Sequence, residues 1–217
     1  MAHPHWPLFD VVIRTPRLEL RYPDDSLLFE LAEVAADGVH DPDKMPFMQP
    51  WTRADSPELE RNALKFWWGI RSSWSPESWG FPAVVLSGGR VVGVQDVNAK
   101  SFAVTRAVTT GSWLGRRHQG RGIGKEMRAA VLHLAFAGLG AEVAYSGAFD
   151  DNPASLGVSR SLGYVENGDF VHDREGRPAR EIMLKLTRSE WERRRRDDIA
   201  VDGLEACIDW FGAGPPG

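Results

Sequence analysis

The stretch Gly111-Ser112-Trp113-Leu114-Gly115-Arg116-Arg117-His118-Gln119-Gly120-Arg121-Gly122-Ile123-Gly124-Lys125 decides how the rest of the sequence is read. It closes an apolar, β-branched run from Val108 to Leu114 and leads into a segment where Met127, Ala130, Val131 and Leu134 recur at helical spacing. A strand, a glycine-rich turn and a long helix therefore follow one another. Glycines let the backbone curl closely, and the first turn of a helix offers N–H groups without intrahelical acceptors beside the positive end of its dipole. Such a place suits phosphate. Arg116, Arg117, Arg121 and Lys125 add charge around it. The spacing matches neither the nucleotide P-loop nor the dinucleotide Gly-x-Gly-x-x-Gly pattern, and taken alone the turn could also be an ordinary loop.

Moving outward, Phe81–Leu86 and Arg90–Val97 read as strands joined by the tight turn Ser87-Gly88-Gly89. Arg17–Arg21 alternates as a half-buried strand does, and Pro23-Asp24-Asp25 opens a helix through Leu27–Val34. Pro42, Pro46 and Pro50 make Gly38–Arg53 a structured loop. Ser56 followed by Pro57 has the composition of an N-cap and first helical position, with the helix running to about Ser72. Beyond Gly138 and Gly140 come a strand over Glu142–Ala148, a helix over Ala154–Leu162, and a hairpin of Tyr164–His172 and Glu181–Leu186 turned by Asp173–Gly176. Ser189 is placed to cap a short charged helix through Arg196, and the tail from Gly212 is expected to fray. Strands and helices intermix, so the fold class is α/β or α+β. The expected organisation is one domain over residues 1–188, including an extension over 1–14, then a C-terminal helix and flexible tail over 189–217.

Two motifs in order carry a resemblance. Gln119-x-x-Gly122-x-Gly124 looks like the acyl-CoA pyrophosphate loop of the GCN5-related N-acetyltransferase (GNAT) superfamily. Asn152-Pro153-Ala154-Ser155, continuing to Val158, Arg160 and Leu162-Gly163-Tyr164, is similar to the corresponding segment of its RimJ/RimL branch. Thr15–Arg21 resembles that branch's first strand, and Leu186-Thr187-Arg188 the end of its sheet. The resemblance implies a mixed, strongly twisted central sheet flanked by helices, with central strands that splay apart. The pantetheine arm lies in that opening and the acceptor amine approaches from the other side. The implied activity is direct N-acyl transfer from acetyl-CoA, or another acyl-CoA such as succinyl-CoA, to a primary amine of a protein or small molecule, without a metal.

The resemblance further implies that pantetheine pairs with the backbone at Trp113 and Leu114. Amides from Gln119 through Gly120, Arg121, Gly122, Ile123, Gly124 and Lys125 hold the pyrophosphate, with Arg117 nearby. Asn152 meets pantetheine, Arg160 lies near the nucleotide phosphate, and Ser155 is the proton donor or partner of the departing thiolate. Capping of the following helix is the plainer reading of Asn152 and Ser155. Relatives place an acidic residue where this chain has Thr109 and Thr110, so Asp96 on the neighbouring strand is the preferred base, ahead of His40 with Asp41. Asp96 as a solvated strand residue is the alternative. His40, Asp41, Met45, Phe47, Trp51 and Arg53 are the candidate acceptor contacts. Five of the nine tryptophans fall between Trp51 and Trp79, enough for an aromatic wall, a core or an interface. Arg53 or Arg71 near the acyl tip would favour a dicarboxylic acyl group.

Composition bounds these readings. The 217 residues carry a net charge of −4 and 42% hydrophobic residues, which excludes general disorder and argues against a general nucleic-acid binder. A single cysteine, Cys207, excludes a disulfide framework and a cysteine-rich metal site. With no signal peptide or membrane span expected, the setting is the cytoplasm. Arg193–Arg196 reads as a solvated helix face, with RNA contact as the rarer alternative. The resemblance also implies a homo-oligomer. The competing class is a catalytically silent CoA-binding regulatory or scaffold protein, suggested by Thr109 and Thr110.

Overall fold

The computed structural model describes residues 3–214. Its strands are β1 (Val12–Arg14), β2 (Leu18–Arg21), β3 (Ser78–Ser87), β4 (Arg90–Lys100), β5 (Ala107–Leu114), β6 (Val143–Phe149), β7 (Val165–Arg174), β8 (Arg177–Thr187) and β9 (Ala200–Asp202). Its α-helices are α1 (Asp25–Ala36), α2 (Glu58–Ser72), α3 (Phe102–Thr105), α4 (Ile123–His133), α5 (Pro153–Ser161) and α6 (Arg188–Glu192). All nine strands form one sheet in the order β7-β8-β6-β5-β4-β3-β2-β1-β9. Neighbours are antiparallel except β5 and β6, which run parallel. This is the mixed sheet with flanking helices that the sequence led us to expect.

Strand alternation gives the sheet two faces. One packs Phe81, Val97, Val108 and Leu184 against α4 and the C-terminal segment. On the other, Val84, Val91 and Val94 meet Leu28, Leu31 and Trp67 of α1 and α2. Asp24 caps α1 by accepting from the Leu27 amide, and Asn152 caps α5 by accepting from the Ser155 amide.

Several expectations at element ends are corrected. Pro57, not Ser56, occupies the N-cap of α2, because the Ser56 hydroxyl is drawn to Glu60 instead. Thr187 rather than Ser189 caps α6, whose helix stops at Glu192 and not Arg196. Residues 12–14, expected within an extension, form β1 between β2 and β9. The C-terminal part is anchored: Trp79 donates to the Phe211 carbonyl and Arg106 donates to the carbonyls of Ala213 and Gly214. The expected fraying at Gly212 therefore does not reach residues 212–214, and the last part of that expectation, residues 215–217, lies outside the described residues. Among the described residues no helix is long and apolar enough to cross a membrane.

Candidate active site

Pairing of β5 with β6 runs from Ala107↔Val143 to Thr110↔Ser146 and ends there, although both strands continue. Beyond that point β5 stays with β4 as far as Leu114, and β6 stays with β8 as far as Phe149. Each strand follows its other partner, so Gly111–Leu114 and Gly147–Phe149 border a wedge with backbone groups facing inward. An extended amide chain placed there can hydrogen-bond as an added strand would.

The glycine-rich turn caps this wedge. Gly120 and Gly122 have φ of 72° and 77°, which L side chains rarely adopt, and a Cβ on Gly120 would meet nothing within 4 Å. The first helical bond of α4 is Glu126 N–H to the Gly122 carbonyl. Among the described residues, no amide from Gly120 through Lys125 donates to the protein. Orphan amides at a helix N-terminus with open space before them form an anion cradle, and they fit a pyrophosphate. Gly124 faces α5, where a Cβ would be in ordinary contact with Val158 at 3.5 Å and only longer branches would press on that helix. Gln119 turns its amide group inward to the carbonyls of Val39 and Leu114, so its side chain fixes the turn.

Thr15 and Arg17 brace the cradle from the sheet side. Arg17 binds the Glu126 carboxylate and donates to the Arg121 carbonyl at 3.1 Å, while the Thr15 hydroxyl donates to Glu126 at 2.6 Å. Burial alone would raise the Glu126 carboxyl, but these donors hold it below the usual range. Arg121 and Lys125 are exposed beside the amides. Arg117 is engaged with Asp37, and Arg160 with Glu166 at 2.7 Å, so both begin from an ion pair at the surface.

Beneath the wedge lies a polar group that the sequence reading missed. Arg128 of α4 is 2% exposed and donates to Gln95 Oε1 at 3.0 Å, Ser146 Oγ at 3.0 Å and Ser112 Oγ at 3.1 Å. Gln95, wholly buried, passes the contact on to the Gly111 carbonyl at 2.7 Å. Tyr164, at the start of β7, is buried with its hydroxyl 3.3 Å from that of Thr110, and burial raises its phenol. The available signal was the polar interruption of apolar strands by Gln95, Ser112 and Ser146.

Asp96 lies on the opposite face, with Val94 and Trp113, beside Gly111 of β5. A Cβ on Gly111 would be 3.8 Å from Asp96 Oδ2. Part of the side chain reaches solvent, yet Oδ1 is sealed from water without a partner. Burial raises the Asp96 carboxyl to about 7, against the lowering influence of Arg128. Across the wedge, Glu181 of β8 folds over Gly147, filling the space a Cβ would take, and pairs with His172 at 2.9 Å. Two carboxylates therefore flank the wedge on this face, and Glu181 was not anticipated. Ser155 sits in the first turn of α5, its amide tied to Asn152 at 3.2 Å.

The loop between α1 and α2 bridges the wedge mouth. Arg116 N–H binds the Gly38 carbonyl at one end, while Arg53 forms a two-pronged pair with Glu175, and Arg174 donates to the Met45 carbonyl at the other. Inside it, His40, Phe47, Trp51 and Trp113 form a chain of rings with centroids 5.2–5.8 Å apart. Asp41 is exposed beside His40. His40 is held in place by both ring nitrogens, Nδ1 lying 2.8 Å from the Asp41 carbonyl, to which it donates, and Nε2 2.7 Å from the Thr52 hydroxyl.

Of the alternatives left open for Trp51–Trp79, a wall, a core or an interface, different residues take different ones. Trp51 reaches the site, Trp67 is core beneath α1, Trp68 is exposed, and Trp74 and Trp79 pack on Phe211. Arg71 pairs with Asp25 and the Pro23 carbonyl, away from the wedge. A groove of about 500 Å³ runs along the Asp96 face past Asn98, Thr109 and Tyr145, under Ile70 and Ser73. Cys207 is buried, its thiol pushed up to about 12, which removes it from thiolate chemistry at neutral pH. Among the described residues no cluster of His, Cys, Asp and Glu has the arrangement of a metal site.

The family described as acetyltransferase (GNAT) domain matches residues 17–165. Solved structures share the fold. RimL, a ribosomal L7/L12 alpha-N-protein acetyltransferase in complex with coenzyme A, is 19% identical with a TM-score of 0.62, over 81% of this chain and 97% of that one. A GNAT-family acetyltransferase from Bacillus anthracis is 16% identical with a TM-score of 0.65, over 82% and 99%. A spermidine N-acetyltransferase chimera of Vibrio cholerae SpeG and hSSAT is 19% identical with a TM-score of 0.63, over 81% and 98%. With its pyrophosphate-type turn lying inside the matched region, the chain belongs to the GNAT acetyltransferase domain family.

Proposed function

We propose that the protein transfers the acetyl group of acetyl-CoA to a primary amine by direct attack, in the manner of the RimJ/RimL branch. The observation that carries this reading is the run of unpartnered amides from Gly120 through Lys125 at the head of a wedge between diverging strands. Pyrophosphate accepts from those amides, with Arg121 and Lys125 alongside, and Arg117 and Arg160 exchange their carboxylate partners for phosphate. Pantetheine lies between Gly111–Leu114 and Gly147–Phe149, within reach of Asn152. The thioester then lies between the α4 face and the face carrying Asp96.

Amine attack requires loss of a proton from the ammonium and gain of one by the thiolate. Asp96, titrating near 7, takes the first, and Glu181 with His172 orients the cation from the far side of the wedge. The amine nitrogen forms a bond to the carbonyl carbon. The C–S bond then breaks as the nitrogen gives up its second proton; the CoA sulfur receives a proton from the Ser155 hydroxyl, which regains one from the nitrogen, so that Ser155 ends unchanged. The ring chain from His40 through Phe47 and Trp51 to Trp113 lines the approach, so the acceptor is a cationic amine, on a protein N-terminus, a lysine or a small molecule, that tolerates aromatic contact. Arg53 is neutralised by Glu175 and Arg71 by Asp25, which favours acetyl over succinyl. Self-association would use β7, an edge strand with Val165, Phe170 and Val171 exposed.

The test is CoA thiol release from acetyl-CoA and from succinyl-CoA across a panel of amines. Release from acetyl-CoA that depends on the amine is expected. Tight CoA binding without amine-dependent release would overturn the enzymatic reading in favour of a silent CoA-binding protein.

A further inference from the structure

We propose that Arg128 is a positioning residue of the transfer site: its buried guanidinium pins β5 to β6 where they diverge and sets a positive charge behind the reacting centre. This rests on the acyltransferase reading above. Its three acceptors belong to three strands, Gln95 on β4, Ser112 on β5 and Ser146 on β6. Ser146 is in the last paired rung and Ser112 lies just beyond it. The contact is thus made at the divergence itself, below the point where the ladder hydrogen bonds stop.

The three acceptors are met by three different nitrogens, Nε, Nη1 and Nη2, a spread that a planar guanidinium spans and the single ammonium nitrogen of lysine does not. A buried cation is costly, and here each contact is to a neutral oxygen rather than a carboxylate. A purely mechanical strut could be made of apolar side chains at no such cost, so the charge itself calls for a role. The carboxylate that feels it is Asp96, through the thickness of the sheet. The strands beside Asp96 offer Pro82 and Gly111. Tyr164, near Arg128, stays neutral. Over the Asp96 face, Glu60 of α2 is held by Ser56 and Arg71 by Asp25, while the carboxylates of α1 are exposed. Positive charge favours an ionised carboxylate, so Arg128 keeps Asp96 able to accept a proton near neutral pH.

The experiment compares Arg128→Met, Arg128→Lys and the double variant Ser112→Ala with Ser146→Ala. It reads the Asp96 carboxyl by ¹³C NMR titration, assigned with Asp96→Asn, alongside kcat and KM for acetyl-CoA. Arg128→Met should move the Asp96 midpoint upward by about one unit or more and lower kcat about tenfold or more. Arg128→Lys, keeping the charge and losing the fork, should leave the midpoint in place while kcat falls. The double serine variant should also leave the midpoint in place and raise KM for acetyl-CoA as the wedge loosens. A folded Arg128→Met with wild-type midpoint and kcat would overturn the proposal. Should that variant fail to fold, wild-type kinetics in both the lysine and double serine variants would overturn it instead. If Asp96→Asn keeps full activity, the base assignment and the electrostatic part of the Arg128 role both fail, and only the pinning of β5 to β6, read from the double serine variant, stands.

Discussion

Under the function proposed above, the two faces of the sheet handle the two substrates by different means. On the α4 face, the donor side, recognition is made from backbone: amides of one continuous segment, Gly120–Lys125, and the open rims of two strands. On the α1 and α2 face, the acceptor side is assembled from side chains far apart in sequence, among them Asp96, Glu181, His172, Trp51 and Trp113. Backbone recognition needs particular residues only where the main chain must turn or approach closely, so it tolerates change elsewhere. A side-chain site can be rebuilt for another amine without disturbing the donor, which is how one fold can serve different acceptors.

The contrast is testable by variants that should injure one side and spare the other. The largest effect is expected for Asp96→Asn: kcat/KM should fall by about 10²–10⁴ with CoA affinity unchanged by calorimetry. With Asp96 as the base the ionised carboxylate would be the active form, so wild-type kcat/KM should drop tenfold per pH unit below about 7. The same substitution should stabilise the fold at pH 8. A raised carboxyl means the folded state prefers the protonated form, so its stability contribution is full below the unfolded value and lost as pH rises through about 7. Asn escapes that loss, a gain of up to about 4 kcal/mol, readable as a higher Tm at pH 8 than the wild type.

Gly122→Val should do the reverse, weakening CoA binding by about 100-fold or more, roughly 2.7 kcal/mol, with Tm little changed. Gly124→Val should lower Tm as well, since the methyls beyond a Cβ already in contact with Val158 would press on α5. Ser155→Ala should lower kcat about tenfold to a hundredfold with CoA affinity intact, because Asn152 still caps α5. Trp51→Ala should raise acceptor KM about tenfold and leave KM for acetyl-CoA within about twofold. Smallest is Arg53→Met, which releases the loop from an exposed pair with Glu175 and should change acceptor KM a few-fold.

The same division explains what could be read from the sequence. The strand, glycine-rich turn and helix over residues 107–133 were legible because turn glycines, a helix start and strand alternation are local properties that fall in one stretch. The position of Asp96, on the strand that pairs with the one carrying Thr109 and Thr110, was legible. Glu181 was not, since its placement depends on an absent Cβ at Gly147 and on β6 pairing with β8. Arg128 was hidden because one arginine among exposed and buried positions of an amphipathic helix looks like a solvated residue. The C-terminal segment misled for a related reason: β9 is three residues long and gains its strand character only from pairing with β1. The alternatives for the tryptophans stayed open in the sequence because proximity joins Trp51 with Trp74 and Trp79, which tertiary packing sends to different places.

The most direct measurement is a crystal structure of the protein with CoA bound. The account predicts pyrophosphate oxygens within hydrogen-bonding distance of the Gly120–Lys125 amides and the pantetheine arm threaded between β5 and β6, its sulfur near Ser155. CoA held at another surface, or those amides facing bulk water with the nucleotide bound, would contradict it.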